Sequence, residues 1–445
     1  MSSVRIGPVV VDSLARLLAR LLRFEGPADA VMSRHFKADR RLGSHERSMV
    51  AEAAFDALRR LASLRWMMQT ADPLRAPHLA ALVELARQHG IDSLGPRLLR
   101  GDERAVRGAL SIDLALAPAS VRAEVPLWLF QRVTVQYHDA QPLLEALAQA
   151  APLDLRVNTI KTDRNAVLAE FGAISRSSGP ASALRAAAGK GAGDRTKALA
   201  TRYSPDGIRL SDKPALTRWP MYKDGRIEVQ DEGSQLVARL AAPRRGMMVV
   251  DFCAGAGGKT LAIGSLMKST GRIYAFDVNT KRLAGLGPRL ARSGLSNVHP
   301  VAIRGANDLR VKRLAGKIDR VVVDAPCSGS GTLRRNPDLK WRFDESELER
   351  LTAVQSEVLH ASARLVKPGG RIVYATCSVL SVENQSIVSA FLTEHPDFAV
   401  IPAAEVLRGQ GVEVDEAGRF APWFVMLPHL HDTDGFFAAV LEKAA

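Results

Sequence analysis

Cysteine is scarce in this chain: three in 445 residues, at 253, 327 and 377. So sparse and odd a set excludes a disulfide framework. No two of the three are close enough in sequence to form a zinc-binding pair, so no metal site is expected. Long apolar runs are also missing. None approaches the roughly 18 uncharged residues of a membrane span, so no membrane association is expected. The first residues, MSSVRIGPVVVDSLARLL, are amphipathic and interrupted by Arg16 and Arg20. They do not read as a secretion signal, and a cytoplasmic address is expected. No internal repeat is evident. Negative charge is the remaining shortage, with 47 acidic residues against 61 Lys and Arg, a net charge of +14 and a pI near 10.0. The excess is spread along the chain, which points to a polyanion such as nucleic acid as partner, although charge by itself leaves mere solubility open.

What is present is an ordinary globular balance, 47% hydrophobic and 24% charged, in a length suited to two to four domains. Residues 1–120 read as a helical domain. Leu14, Leu17, Leu18, Leu21 and Leu22 recur at helical spacing, as do Val50, Ala54, Leu58 and Leu61. Ser44 is expected to cap the second of these helices. Residues 121–235 read as a linker helix (VPLWLFQRV, 125–133) and a small α+β module. In that module LDLRVNTI (153–160) alternates like a strand and TDRNAVLAEF (162–171) reads as a capped helix. GIRLSD and GRIEVQDEG carry two more strands, and residues 175–202, rich in small and basic residues, read as a mobile loop. From 236 to 445 the chain alternates strand and helix: MMVVDFCAG, GRIYAFDVN, KIDRVVVDAP and GGRIVYATCS are strands separated by helical stretches. That alternation predicts an α/β domain, a parallel sheet with helices on both faces. GFFAAVLEK is expected to close the sheet at or near its edge.

In such a sheet ligands bind at the carboxyl ends of strands. Three strands end in aspartate: Asp251, Asp277 and Asp324. The first exit loop runs Asp-Phe-Cys-Ala-Gly-Ala-Gly-Gly-Lys-Thr (251–260), where glycines let backbone amides approach a ligand. A phosphate-binding P-loop would need glycine where Cys253 stands. A dinucleotide fingerprint opening at Gly255 would need Gly or Ala where Thr260 stands. The looser glycine pattern that remains suits S-adenosylmethionine, with Asp277 placed for ribose hydroxyls; a plain strand-to-helix turn is the bland reading.

Cys327 and Cys377 both follow strand ends, in Asp-Ala-Pro-Cys-Ser-Gly-Ser-Gly-Thr (324–332) and Tyr-Ala-Thr-Cys-Ser (374–378). They share the rim with the glycine loop, whereas Cys253 reads as a small buried apolar residue. Two thiols suit methylation at carbon 5 of cytosine. One adds to carbon 6 and activates the ring, and a second group helps remove the carbon 5 proton and release the enzyme. Asp324 is placed to stabilise the activated ring.

The segments DFCAGAGGKT, DAPCSGSGTLRRNPDLKWR, YATCSVLSVEN and DGFFAAVLEK resemble the motifs of the Sun (Fmu) family of RNA cytosine-C5 methyltransferases. LRVNTIKT and EVQDEGSQLVARL resemble the segments that precede its catalytic domain. The resemblance is strongest over 125–445. It implies a Rossmann-like S-adenosylmethionine-dependent methyltransferase domain preceded by a small α+β module and a helical N-terminal domain. It implies S-adenosylmethionine as cofactor and RNA, above all ribosomal RNA, as partner of a monomeric enzyme. Transfer RNA, or a non-catalytic role in ribosome assembly, are the alternatives. The resemblance also implies Cys377 as nucleophile and Cys327 in product release. Asp324 and Lys259 are carried with them as catalytic residues. Cys253, Ala254, Gly255, Ala256, Gly257, Gly258 and Lys259 correspond to the cofactor loop, joined by Asp277 and Asp324. The chain departs from the family in having Gly255-Ala256 where Ala-Pro is usual. The acid expected near adenine falls in IRGANDL, where Asp308 or Asn307 serves. Arg334, Arg335, Lys340 and Arg342, clustered around Trp341, are expected to grip RNA phosphates beside a flipped base. Tyr203, Trp219 and Tyr222 suit either base stacking or core packing.

Overall fold

The computed structural model describes residues 5–69, 71–176 and 196–445. Most of the loop expected over 175–202 therefore lies outside the described residues. The chain divides into two compact units, one of residues 1–150 with 332–347 and the other of 151–331 with 348–445.

The first unit is helical. Leu14, Leu17, Leu18 and Leu21 are all buried on the helix Pro8–Leu21, and Val50, Ala54 and Leu58 are buried on Ser44–Arg59. The cap of that second helix is Gly43, not Ser44: the Glu46 side chain accepts the Gly43 N–H at 2.8 Å, one turn from the helix start. Helices continue through Leu127–Gln136 and Ala140–Leu147. The expected linker helix thus groups with the helical unit rather than with the small module.

In the second unit a small sheet is formed by β1 (Leu153–Val157), β2 (Ala198–Ala200), β3 (Gly207–Leu210) and β4 (Ile227–Val229). It is antiparallel, in the order β2-β3-β1-β4. Leu155, Val157, Ile208 and Ile227 face the helix Arg164–Arg176, where Val167 and Phe171 complete the core.

The large sheet contains β5 (Met248–Asp251), β6 (Arg272–Asp277), β7 (Val298–Ala302), β8 (Ile318–Asp324), β9 (Val366–Thr376), β10 (Phe398–Ile401), β11 (Phe424–Met426) and β12 (Phe436–Lys443). Its order is β10-β12-β9-β8-β5-β6-β7, with β11 also on β12. Strands β5 to β9 are parallel, and β12 runs antiparallel between β9 and β10. The closing strand is therefore one strand in from the edge. The run Val321-Val322-Val323 alternates between two cores, as pleating requires: Val322 packs with Leu261 and Val373, while Val321 and Val323 pack with Leu359 and Ile372. With both faces covered, continuous valine is what a central parallel strand needs. The chain adds β6 and β7 to one side of β5 and then crosses to add β8 and β9 on the other. The switch point between β5 and β8 opens a crevice at the carboxyl ends of these strands.

Candidate active site

The glycine loop leaves β5 between its two neighbours. Phe252 N–H donates to Val322 O and Ala254 N–H to Phe276 O, each at 2.8 Å. Gly257 is left-handed (φ 82), and a Cβ there would lie 2.2 Å from Leu286 Cδ1, so the helix Leu286–Ser293 packs on bare backbone. Beneath the loop, Thr260 Oγ1 donates to Asp251 Oδ2 at 2.5 Å, and burial pushes the Asp251 carboxyl up to about 7. Burial likewise raises the Cys253 thiol.

Asp277 ends β6 with its carboxylate oriented by two amides. Oδ2 accepts Gly255 N–H and Oδ1 accepts Asn279 N–H, both at 2.7 Å. It lines a cavity of about 560 Å³ together with Phe252, Val278, Ile303, Ala306, Asp324 and both rim cysteines. That size suits a small-molecule site. The lining suits an adenosyl group: an apolar wall for a flat base, a fixed carboxylate for a diol, and an end that reaches the thiols. Cys253 and Arg282 also line it.

The thiols are brought together by strand register. Asp324 on β8 pairs with Ala375 on β9, so the loops leaving both strands start side by side. Ala325 N–H donates to Ala375 O at 2.8 Å and Gly331 N–H to Cys377 O at 2.9 Å. Cys327 Sγ and Cys377 Sγ stand 3.4 Å apart. Contact with Cys377, burial and the nearby Glu383 carboxylate hold the Cys327 thiol well above its ordinary range. Lys259, on the first turn of the helix Gly258–Leu266, places its ammonium 2.8 Å from Asp324 Oδ2 and 5.5 Å from the Phe436 ring centre. Burial works against the charged amine, but Asp324, Cys377 and Asp251 together outweigh it and the net shift is upward.

One residue given no role from sequence organises both cysteine loops. Glu383 is wholly buried. Its Oε1 accepts Ser328 N–H at 2.8 Å and Gln355 Nε2–H at 3.0 Å. Its Oε2 accepts the hydroxyls of Ser328 and Ser378, each at 2.5 Å. One carboxylate thus ties the residue after Cys327 to the residue after Cys377. The only signal in the sequence is an acid six residues past Cys377, in the run VLSVEN.

Several expected site residues lie elsewhere. Asp308 turns both oxygens to its own loop, accepting Arg310 N–H at 2.8 Å and Arg304 N–H at 2.9 Å, and these bonds hold its carboxyl below the usual range. It lines a neighbouring cleft of about 600 Å³ rather than the Asp277 cavity. Asn307 lines the same cleft and accepts from Arg364 at 3.2 Å. The basic cluster at 334–342 is not an open RNA-facing loop. Lys340 is buried in the helical unit, where Nζ donates to Arg59 O at 2.7 Å and burial pulls its amine down to about 7. Trp341 Nε1 donates to Leu58 O at 2.8 Å. Arg334 is buried too, and Arg342 pairs with Asp338 at 3.3 Å. Only Arg335 and Arg342 keep partial exposure. Exposed cations stand instead on the cleft that shares Gly305, Ala306 and Glu357 with the Asp277 cavity: Arg304, Arg310 and Arg313. Trp219 packs on Phe171 with ring centres 5.1 Å apart, Tyr203 is buried, and Arg292 lies 4.5 Å over the Tyr222 ring.

Sheet order and pocket chemistry fit a Rossmann-like methyltransferase that takes its methyl group from S-adenosylmethionine, and similarity to known proteins shows that class. Residues 238–442 match the family described as 16S rRNA methyltransferase RsmB/F, and residues 125–179 match the ferredoxin-like domain described for the same enzymes. A probable ribosomal RNA small subunit methyltransferase B from Synechocystis is 33% identical over 370 residues, 81% of this chain and 77% of its own. Ribosomal RNA small subunit methyltransferase B from Sodalis glossinidius is 31% identical over 431 residues, 90% and 91% of the two chains. The crystal structure of PH0851 shares the fold over 99% of this chain and all of its own, with a TM-score of 0.80 at 24% identity. The chain belongs to the 16S rRNA methyltransferase RsmB/F family, in agreement with the motif resemblance. Among the described residues no helix is long and apolar enough to cross a membrane.

Proposed function

We propose that this chain methylates carbon 5 of a cytosine in small-subunit ribosomal RNA through a covalent thiol adduct. The observation that carries this reading is the thiol pair, 3.4 Å apart on the wall of the cofactor cavity. S-adenosylmethionine, when bound, supplies an electrophilic methyl group. Carbon 5 of cytosine is a weak nucleophile, so the ring must first be activated. The Cys377 thiolate adds to carbon 6, and the ring electrons move toward carbon 5. Asp324, held by Lys259, accepts hydrogen bonds from protonated ring nitrogen 3 and the exocyclic amine, so it stabilises the activated ring. After methylation Cys327, as its thiolate, takes the carbon 5 proton, the electrons of that bond re-form the carbon 5–carbon 6 double bond, and the Cys377 thiolate is expelled. Cys327 serves this release. Its raised proton affinity makes it, once deprotonated, a strong base for that proton.

The base must be unstacked to reach the thiols. Arg304, Arg310 and Arg313, on the cleft beside the cavity, supply phosphate contacts for the flanking RNA.

Bisulfite sequencing of total RNA from cells with and without the chain tests this reading. A small-subunit ribosomal cytosine protected only when the chain is present is the expected result. Identical protection patterns across all RNA would reject it, and a protected transfer RNA position would keep the chemistry and move the target.

A further inference from the structure

The cofactor loop carries alanine at position 256, and Ala256 is exposed. Gly257 follows with φ 82 and ψ 22. Gly257 N–H donates to Ala254 O at 2.8 Å, closing a turn whose central residues are Gly255 (φ 54) and Ala256. A turn built on glycine is free to move, and something else must hold it.

The structure supplies a holder from outside the loop. Arg289, on the helix Leu286–Ser293, donates through one terminal nitrogen to Ala256 O at 2.8 Å. Its Nε donates to Glu228 Oε2 at 3.0 Å. Glu228 sits on β4 of the small sheet, its side chain 3% exposed, and Arg292 makes a charge contact with its other oxygen at 2.6 Å. The anchoring is rigid on both sides. Asn158, just past β1, donates to Gly225 O at 2.9 Å and to Ser293 O at 2.8 Å, and it accepts from Ser265 Oγ at 3.1 Å. The small sheet is thereby fastened to the two helices that flank the glycine loop. A carboxylate buried this deeply is retained only with its charge partners, and one of those partners ends on the loop's backbone.

We propose that Glu228 and Arg289 form a clamp that fixes the cofactor loop and makes cofactor affinity depend on the small sheet. They are positioning residues: neither lines the cavity. This inference rests on the cavity being the S-adenosylmethionine site. Failure of the wild-type protein to bind S-adenosylmethionine would reject that assignment before the clamp is tested.

The experiment is calorimetric titration of S-adenosylmethionine into the wild type, Arg289→Ala and Glu228→Gln, with amide exchange measured on each. Loss of one hydrogen bond to the loop weakens affinity about three- to tenfold in Arg289→Ala. Glu228→Gln, which takes the charge partner from Arg289, weakens it in the same direction. Unchanged affinity in Arg289→Ala overturns the clamp. Amide exchange over residues 254–258 separates a loosened loop from a general packing defect. Faster exchange in Arg289→Ala than in wild type supports the clamp, and equal exchange overturns it.

Discussion

The ammonium of Lys259 lies 2.8 Å from Asp324, and the two partners are unequally buried: the lysine side chain is 8% exposed and the aspartate 34%. Removing Asp324 strands a buried cation, at a cost approaching about 3 kcal/mol once solvent screening at its open face is allowed for. Removing Lys259 leaves a carboxylate that still reaches water, and costs less. Asp324→Ala is therefore expected to lower the melting temperature more than Lys259→Met, although both lose methyl transfer. Equal melting shifts would mean that the pair is not organised in this way.

Asp277 and Asp308 were both expected at the cofactor, and their surroundings now separate them. Asp277 faces the cavity with its carboxylate oriented by two amides, whereas Asp308 spends both oxygens on its own loop. Loss of a charge-assisted hydrogen bond in Asp277→Ala is expected to cost about 1.5–3 kcal/mol, roughly ten- to 150-fold in S-adenosylmethionine affinity. Asp308→Ala is expected to leave that affinity unchanged. Calorimetry on the two variants checks both, and reversed effects would relocate the ribose site.

For RNA the expectation shifts from the buried cluster to the exposed one. The double variant Arg304→Ala/Arg313→Ala is expected to weaken RNA binding and to reduce the slope of log affinity against log salt by about 0.7–0.9 per lost phosphate contact. Substituting Arg334 or Lys340 is expected to change thermal stability instead. Filter binding over a salt series separates the two, and an unaltered slope in the double variant would remove Arg304 and Arg313 from the RNA surface.

The chemistry of the site was legible because it is local. Strand ends, glycines and cysteines follow one another within ten-residue stretches, and parallel β8 and β9 then place the two cysteine loops side by side. Long-range burial was not legible. Lys340 and Trp341 read as a basic, aromatic RNA loop until residues 332–347 are seen folded into the helical unit, with both side chains bonded to carbonyls at Leu58 and Arg59. Nothing near position 340 encodes that contact. Glu383 escaped for the same reason. Its four hydrogen-bond donors come from Ser328, Ser378 and Gln355, and sequence alone does not bring these together. The antiparallel insertion of β12 beside β9 likewise depends on β10, which covers its outer edge.

The most direct test of the account is the fate of the covalent enzyme–RNA adduct in the two cysteine variants. One thiol makes the bond to carbon 6 and the other helps to break it. Purified wild type, Cys377→Ala and Cys327→Ala are incubated with substrate RNA and S-adenosylmethionine and run on a denaturing gel. Cys327→Ala is expected to accumulate a protein–RNA band of reduced mobility that contains methylated RNA. Cys377→Ala is expected to show neither the band nor methyl transfer. An adduct trapped in Cys377→Ala and absent in Cys327→Ala would reverse the roles of the two thiols. Retained methyl transfer in Cys377→Ala, with no adduct in either variant, would contradict the covalent mechanism itself.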